Sequence, residues 1–151
     1  MGKVVVDSSV VVKWFVVEPY SVEACRLLDG YQAKTLTLLA PDLLNAEVGN
    51  VIWKKLRFQG LAAQDARQII AEFRRLRIRL VSTADLLDDA YHLAVMHKRS
   101  VYDAMYLALS VRERCPYITA DEKLYNAVRE SCANVIWVAD WPLASDEHVR
   151  N

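Results

Sequence analysis

The chain has 151 residues, 54% of them hydrophobic and 25% charged, with 19 lysines and arginines against 19 aspartates and glutamates. At roughly 100–200 residues per domain this is one domain, large enough to hide roughly two-thirds of its unfolded surface, and its composition excludes disorder and low complexity. A net charge of zero excludes a uniformly basic nucleic-acid coat, so any contact with nucleic acid has to come from a local patch.

The β-branched run 3–6, ending at Asp7, predicts a strand buried on both faces. Ser8 or Ser9 is expected to cap a short helix over 10–15, which Glu18-Pro19 breaks. Ser21 opens a helix with Val22, Cys25 and Leu28 on one face. It ends at Asp29-Gly30 or runs on to about Ala33. Residues 35–39 predict a second strand, and Ala40-Pro41-Asp42 a strand end followed by a helix start. A long helix over 42–58 stops at Gly60, and an amphipathic helix over 62–76 carries Ile69, Ile70 and Phe73. Residues 77–81 alternate as a third strand. Ser82 and Thr83 cap a helix to about Lys98, and Ser100 opens another to about Arg114. A strand over 117–120, a helix over 122–132 and a strand over 135–138 complete the pattern.

Strands alternating with helices predict an α/β fold with a mostly parallel sheet covered on both faces. No repeat or linker divides the chain, so residues 1–141 are expected to form a single domain followed by a polar tail over 142–151. The ligand site of such a fold lies at the carboxyl ends of its strands.

The longest unbroken apolar run, 104–109, is far below the roughly 18–20 residues of a membrane span. Asp7 and Lys13 interrupt the apolar amino-terminal stretch, which does not read as a signal peptide. Cys25, Cys115 and Cys132 form no C-x-x-C pair and read as reduced cysteines of a cytoplasmic protein. His92 and His97 are badly spaced on a helix for sharing zinc.

Four carboxylates stand in places that need explaining. Asp7 directly follows the first strand. Glu47 shares a helix face with Leu43, Leu44 and Val51, where an unpartnered carboxylate costs several kcal/mol. Asp103 stands at capping-box spacing from Ser100, with Leu107 and Val111 at i+4 and i+8, so it also points inward. Asp121 ends the fourth strand. Singly, Asp7, Asp103 and Asp121 read equally well as helix caps, and Glu47 as an edge residue or the partner of an arginine. Together they fall at one edge of the sheet. Four carboxylates in one crevice repel each other unless a hard divalent cation, Mg²⁺ or Mn²⁺, neutralises them. A metal-loaded acidic pocket suits phosphoryl chemistry.

The segments Val4-Val5-Val6-Asp7-Ser8-Ser9, Ala46-Glu47-Val48, Tyr102-Asp103-Ala104 and Ile118-Thr119-Ala120-Asp121 resemble the four acidic motifs of PIN-domain ribonucleases. Within that family they resemble the VapC-type toxins of bacterial and archaeal toxin–antitoxin pairs. The resemblance runs from Lys3 to about Val138. It implies a PIN-like three-layer α/β/α sandwich with a five-stranded parallel sheet in the order 3-2-1-4-5. It also implies Mg²⁺- or Mn²⁺-dependent cleavage of single-stranded RNA, a homodimer and a protein antitoxin as partner. At the positions of Asp7 and Asp103 it implies metal ligands. At Glu47 and Asp121 it implies residues that complete the catalytic site, and at Thr119 a supporting hydrogen bond, with Ser8 a weaker supporting residue.

Candidates for gripping RNA are Lys13 first, then Lys54-Lys55-Arg57 and Lys98-Arg99, each of which reads equally as a solvated helix face. Arg74, Arg75, Arg77 and Arg79 form a basic run facing solvent or a second subunit. Trp14 reads as a core or partner contact, and Trp53 and Phe58 as core or as the seat of a second subunit or an antitoxin helix. A receiver-like module lacks the paired acids it needs after strand one, a dehalogenase-like phosphatase lacks an acid at Ser9, and no G-x-G-x-x-G run supports dinucleotide binding. A PIN scaffold that binds RNA or protein without cutting remains the rival, beside a PIN nuclease outside any toxin–antitoxin pair.

Overall fold

The computed structural model describes residues 2–142. Strand β1 (Gly2–Val6) runs into Val4, Val5 and Val6, none more than 2% exposed. Helix α1 (Ser8–Val11) follows and tightens into a 3-10 turn, Val12–Trp14. This element starts earlier and ends sooner than expected, and its cap is Asp7 rather than Ser8 or Ser9. The Asp7 carboxylate accepts from the first free N–H groups, and the successive β-branched valines disfavour a longer helix.

Helix α2 (Ser21–Gln32) leads to strand β2 (Leu36–Pro41). Helices α3 (Leu43–Phe58) and α4 (Ala63–Arg75) lead to β3 (Arg79–Val81). Helices α5 (Thr83–His97) and α6 (Val101–Glu113) lead to β4 (Tyr117–Thr119), and α7 (Glu122–Val128) to β5 (Val135–Trp137). All five strands are parallel, in the order β3-β2-β1-β4-β5, as expected. Right-handed crossovers then put α2, α3 and α4 on one face and α5, α6 and α7 on the other. Leu38, Leu39 and Ala40 of β2 are fully buried, as a central strand covered on both faces requires.

Two expectations need correction: the buried face of α2 and the end of α7. Helix α2 buries Ala24 and Leu27, whereas Val22 is 73% exposed. The helix takes the longer of its two expected bounds, passing Gly30 to Gln32. A Cβ at Gly30 would meet Leu36 Cβ at 3.3 Å, so the missing side chain is what brings the Ala24–Leu27–Gly30 line close to β2. As expected, Pro41 closes β2 and a helix follows at once, with Asp42 as its N-cap. Pro41 pairs in register with Val81, and the next residue, Asp42, supplies the N–H to Val81 O at 2.8 Å. Helix α7 ends at Val128, short of Cys132, in a turn where the Ser131 N–H and hydroxyl both close on the Val128 carbonyl, three residues back.

The expected polar tail lies, apart from Pro142, outside the described residues. Among those described, no helix is long and apolar enough to cross a membrane.

Candidate active site

The strand order reverses at β1: β2 lies on one side of it and β4 on the other. That switch point opens a crevice at the carboxyl ends of β1 and β4. Val6 pairs with Ile118, so Asp7 comes level with Thr119. Asp7 is 5% exposed and Thr119 is fully buried. The Thr119 hydroxyl and the Tyr117 hydroxyl each donate to Asp7 Oδ2 at 2.6 Å. Oδ1 accepts from the backbone N–H groups of Ser9 and Val10, at 3.0 and 3.3 Å, and from the Ser9 hydroxyl. Burial nevertheless pushes the Asp7 carboxyl above its usual range, outweighing the donors from Ser9, Thr119, Tyr117 and Val10.

Glu47 projects from the middle of α3, half-buried, on the line of Leu43 and Val51. Its Oε1 accepts from the Tyr106 hydroxyl. Burial raises its carboxyl, and the charges of Asp7, Asp103 and Asp121 raise it further against the lowering by Tyr106. Asp7, Asp103 and Asp121 thus lie near enough to Glu47 for their charges to act on it. Asp103, in the first turn of α6, pairs with Arg99, Oδ2 to Nη2 at 2.9 Å. The inward expectation holds through Leu107, which is 1% exposed, but not through Val111, which faces solvent. Asp121 caps α7 by accepting from Leu124 N at 3.1 Å, and its own N–H donates to Thr119 Oγ1. The cap reading therefore holds for Asp7 and Asp121.

Sequence reasoning missed three residues of this site and named a fourth, Arg99, only as a candidate RNA contact. Ser9, rather than Ser8, carries the hydroxyl that reaches Asp7, and it also accepts from Ala120 N at 2.9 Å, tying β1 to β4. Tyr106 and Tyr117 stack with centroids 5.6 Å apart. Burial, then the charge of Glu47 or Asp7 respectively, holds both phenols far above their usual range, so each stays a donor. Arg99, named for RNA, pairs with Asp103 instead. Tyr106 was findable at i+3 from Asp103 and Arg99 at i−4 from it, and Tyr117 at i−2 from Thr119 on the same strand face. Ser9 carried no such signal.

The other singled-out residues lie apart from the acids' hydrogen bonds. Lys13 Nζ is 3.0 Å from Glu18, which also takes Lys55 at 3.2 Å. Arg57 lies over the Phe58 ring. Arg74, Arg75 and Arg77 line an open concavity at the end of α4. Trp14 donates from Nε1 to Ala24 O at 2.8 Å and packs on the core. Trp53 and Phe58 are exposed, and Trp53 lines an apolar groove between α3 and α4 with Ile52, Leu56, Ala66 and Ile70.

Among the described residues, no three His, Cys, Asp or Glu groups stand ready-made around a metal position. The oxygens of Asp7, Glu47 and Asp103 are turned to hydroxyls and to Arg99 instead. The donor set still fits a hard divalent cation. It is all oxygen, and the mutual repulsion that raises Glu47 is what such an ion relieves.

The PIN-domain family matches residues 4–130 of this chain. Ribonuclease VapC3 of Pyrobaculum aerophilum is 36% identical over 126 residues, covering 81% of this chain and 92% of the relative. Ribonuclease VapC9 of Mycobacterium tuberculosis is 28% identical over 121 residues, covering 78% of this chain and 93% of the relative. Among solved structures, PAE2754 from Pyrobaculum aerophilum superposes with a TM-score of 0.65 at 19% identity, covering 91% of this chain and 84% of that one. VapC20 of Mycobacterium tuberculosis, a sarcin-ricin loop cleaving toxin, gives 0.60 at 20% identity, covering 82% and 94%. The parallel sheet in this order, the four acids at its carboxyl edge and these matches lead to one conclusion: the chain belongs to the PIN-domain family, among the VapC ribonucleases.

Proposed function

We propose that the protein is an endoribonuclease that cuts single-stranded RNA by attack of water with the help of Mg²⁺ or Mn²⁺, and that it is the toxin of a VapBC-type toxin–antitoxin pair. The observation that carries this reading is the cleft itself. Asp7 and Asp121 follow β1 and β4 at the carboxyl edge of the sheet, and the charges of Asp7, Asp103 and Asp121 act on Glu47, in a chain akin to ribonucleases; this supports a shared metal-binding cleft.

Asp7 and Asp103 would hold the ion, with Glu47 and Asp121 completing the site. When bound, the ion polarises a non-bridging phosphate oxygen and makes a coordinated water more acidic. Glu47 or Asp121 takes the proton from the attacking water as its oxygen bonds to phosphorus. The 3′ oxygen leaves and takes its proton from solvent water, so the products carry a 5′-phosphate and a 3′-hydroxyl and the 2′-hydroxyl takes no part. Thr119, Tyr117 and Ser9 hold the Asp7 carboxylate in place, and Tyr106 does so for Glu47. Lys13 is read as a phosphate contact that exchanges Glu18 for RNA.

The partners follow from the surface. The apolar groove between α3 and α4 suits an amphipathic helix of an antitoxin. Leu87, Tyr91 and Val95, at i, i+4 and i+8 on α5 and each at least half exposed, suit a second copy of the chain in a homodimer. Free Cys25, Cys115 and Cys132 agree with a reducing, cytoplasmic setting.

The test is cleavage of a labelled single-stranded RNA with Mn²⁺ or with chelator, beside Asp7→Asn. Cutting should need the ion and vanish in the variant. Equal binding without cutting by either protein would shift the reading to a non-cleaving scaffold. A 2′,3′-cyclic phosphate end would overturn the water-attack route.

A further inference from the structure

Arg99 stands beside the acids with part of its hydrogen-bonding capacity unused. Its Nη2 lies 2.9 Å from Asp103 Oδ2, yet its Nε is buried without a partner among the described residues. A guanidinium N–H deprived of both water and acceptor is unfavourable, so this pose is not the one that satisfies the side chain. Among the described residues, Arg99 is the only cation ion-paired with any of the four acids, since Lys13 and Lys55 are both taken up by Glu18.

The backbone fixes where this group emerges. Lys98 ends α5 in the left-handed region, at φ 53°, and Arg99 N donates to Ala94 O at 3.1 Å. Ser100 then caps α6 through Asp103 N. Arg99 thus rises from a short, pinned link one helical turn before Asp103. Only its side chain is free to choose a partner.

We propose that Arg99 is a substrate-binding residue that gives up Asp103 to a divalent cation and takes the RNA phosphodiester instead. The inference rests on the nuclease reading above. Its planar fork matches two phosphate oxygens at once. An RNA entering an acidic cleft needs positive charge beyond the ion's own, and a guanidinium supplies it at the developing transition-state charge. Until then Arg99 competes with the ion for Asp103.

That competition makes the test two-signed. In Arg99→Gln without RNA, Mn²⁺ alone should bind several-fold more tightly, by calorimetry or by the rise in melting temperature. Cleavage of a single-stranded oligoribonucleotide at saturating Mn²⁺ should fall by about 10-fold or more, and Arg99→Lys should recover part of it. A purely structural ion pair would instead weaken the fold in chelator and leave turnover per folded molecule unchanged. Unaltered or weaker Mn²⁺ binding together with wild-type turnover in Arg99→Gln overturns the proposal while leaving the nuclease reading standing. Failure of the wild-type protein to cut any RNA overturns both.

Discussion

The Asp7 carboxylate is among the least exposed polar groups described, yet donors reach both of its oxygens. Two effects oppose each other there. Desolvation favours the protonated acid, and five hydrogen bonds favour the anion; desolvation wins. At Glu47 the same burial is reinforced by three neighbouring charges. Both groups therefore bind a proton more tightly in the fold than in the unfolded chain. The stability they contribute to the metal-free protein is present in acid and is lost as pH rises through their raised values. A divalent cation reverses the balance by replacing the proton. Mn²⁺ should consequently raise the melting temperature more at about pH 8 than at about pH 5, and the rise should vanish when excess chelator is added with the ion. An equal rise at both pH values in thermal melts would contradict this account.

At the scale of elements, capping and chemistry use the same side chains. Asp7 opens α1, Asp103 lies in the first turn of α6, and Asp121 opens α7. Helix N-termini carry partial positive charge, which offsets some of the repulsion among the acids. The cap reading was correct for Asp7 and Asp121, whereas at α6 Ser100 is the cap and Asp103 turns to Arg99. A second device ties elements together: Glu18, after the first 3-10 turn, bridges Lys13 and Lys55 of α3. Burial pushes the Glu18 carboxyl up, but the two lysines outweigh it and hold it below its usual range. A lowered value means stability that is present above the unfolded pKa and lost as pH falls through the folded one. Glu18→Gln should cost about 1 kcal/mol at neutral pH, and the difference from wild type should close in acid, as urea melts across pH would show.

At the scale of the whole molecule, charge that sums to zero is distributed unevenly. The acids gather at the carboxyl edge of the sheet, while Arg74, Arg75 and Arg77 line a concavity at the end of α4. The apolar surface is uneven too, with Leu87, Tyr91 and Val95 forming a stripe along α5. If that stripe is the homodimer seat, Tyr91→Glu should shift the protein from dimer to monomer in sedimentation or light scattering without unfolding it. A wild-type monomer would remove the stripe from the proposed assembly.

The strand–helix alternation, the buried central strands and all four acids were legible in the chain, because each is a local pattern: a β-branched run, a period of 3.6, or a carboxylate beside a strand end. Tyr106 and Tyr117 were within reach of the same periodicities. What the tertiary structure alone decided is which donors meet which acids. Tyr117 and Thr119 reach Asp7, and Ser9 reaches Ala120, only because β1 pairs with β4, and Tyr106 of α6 meets Glu47 of α3 across 59 residues of chain. Such contacts depend on register and on the angle at which elements pack. Those quantities are set by the summed burial of the core, so no local stretch of sequence encodes them.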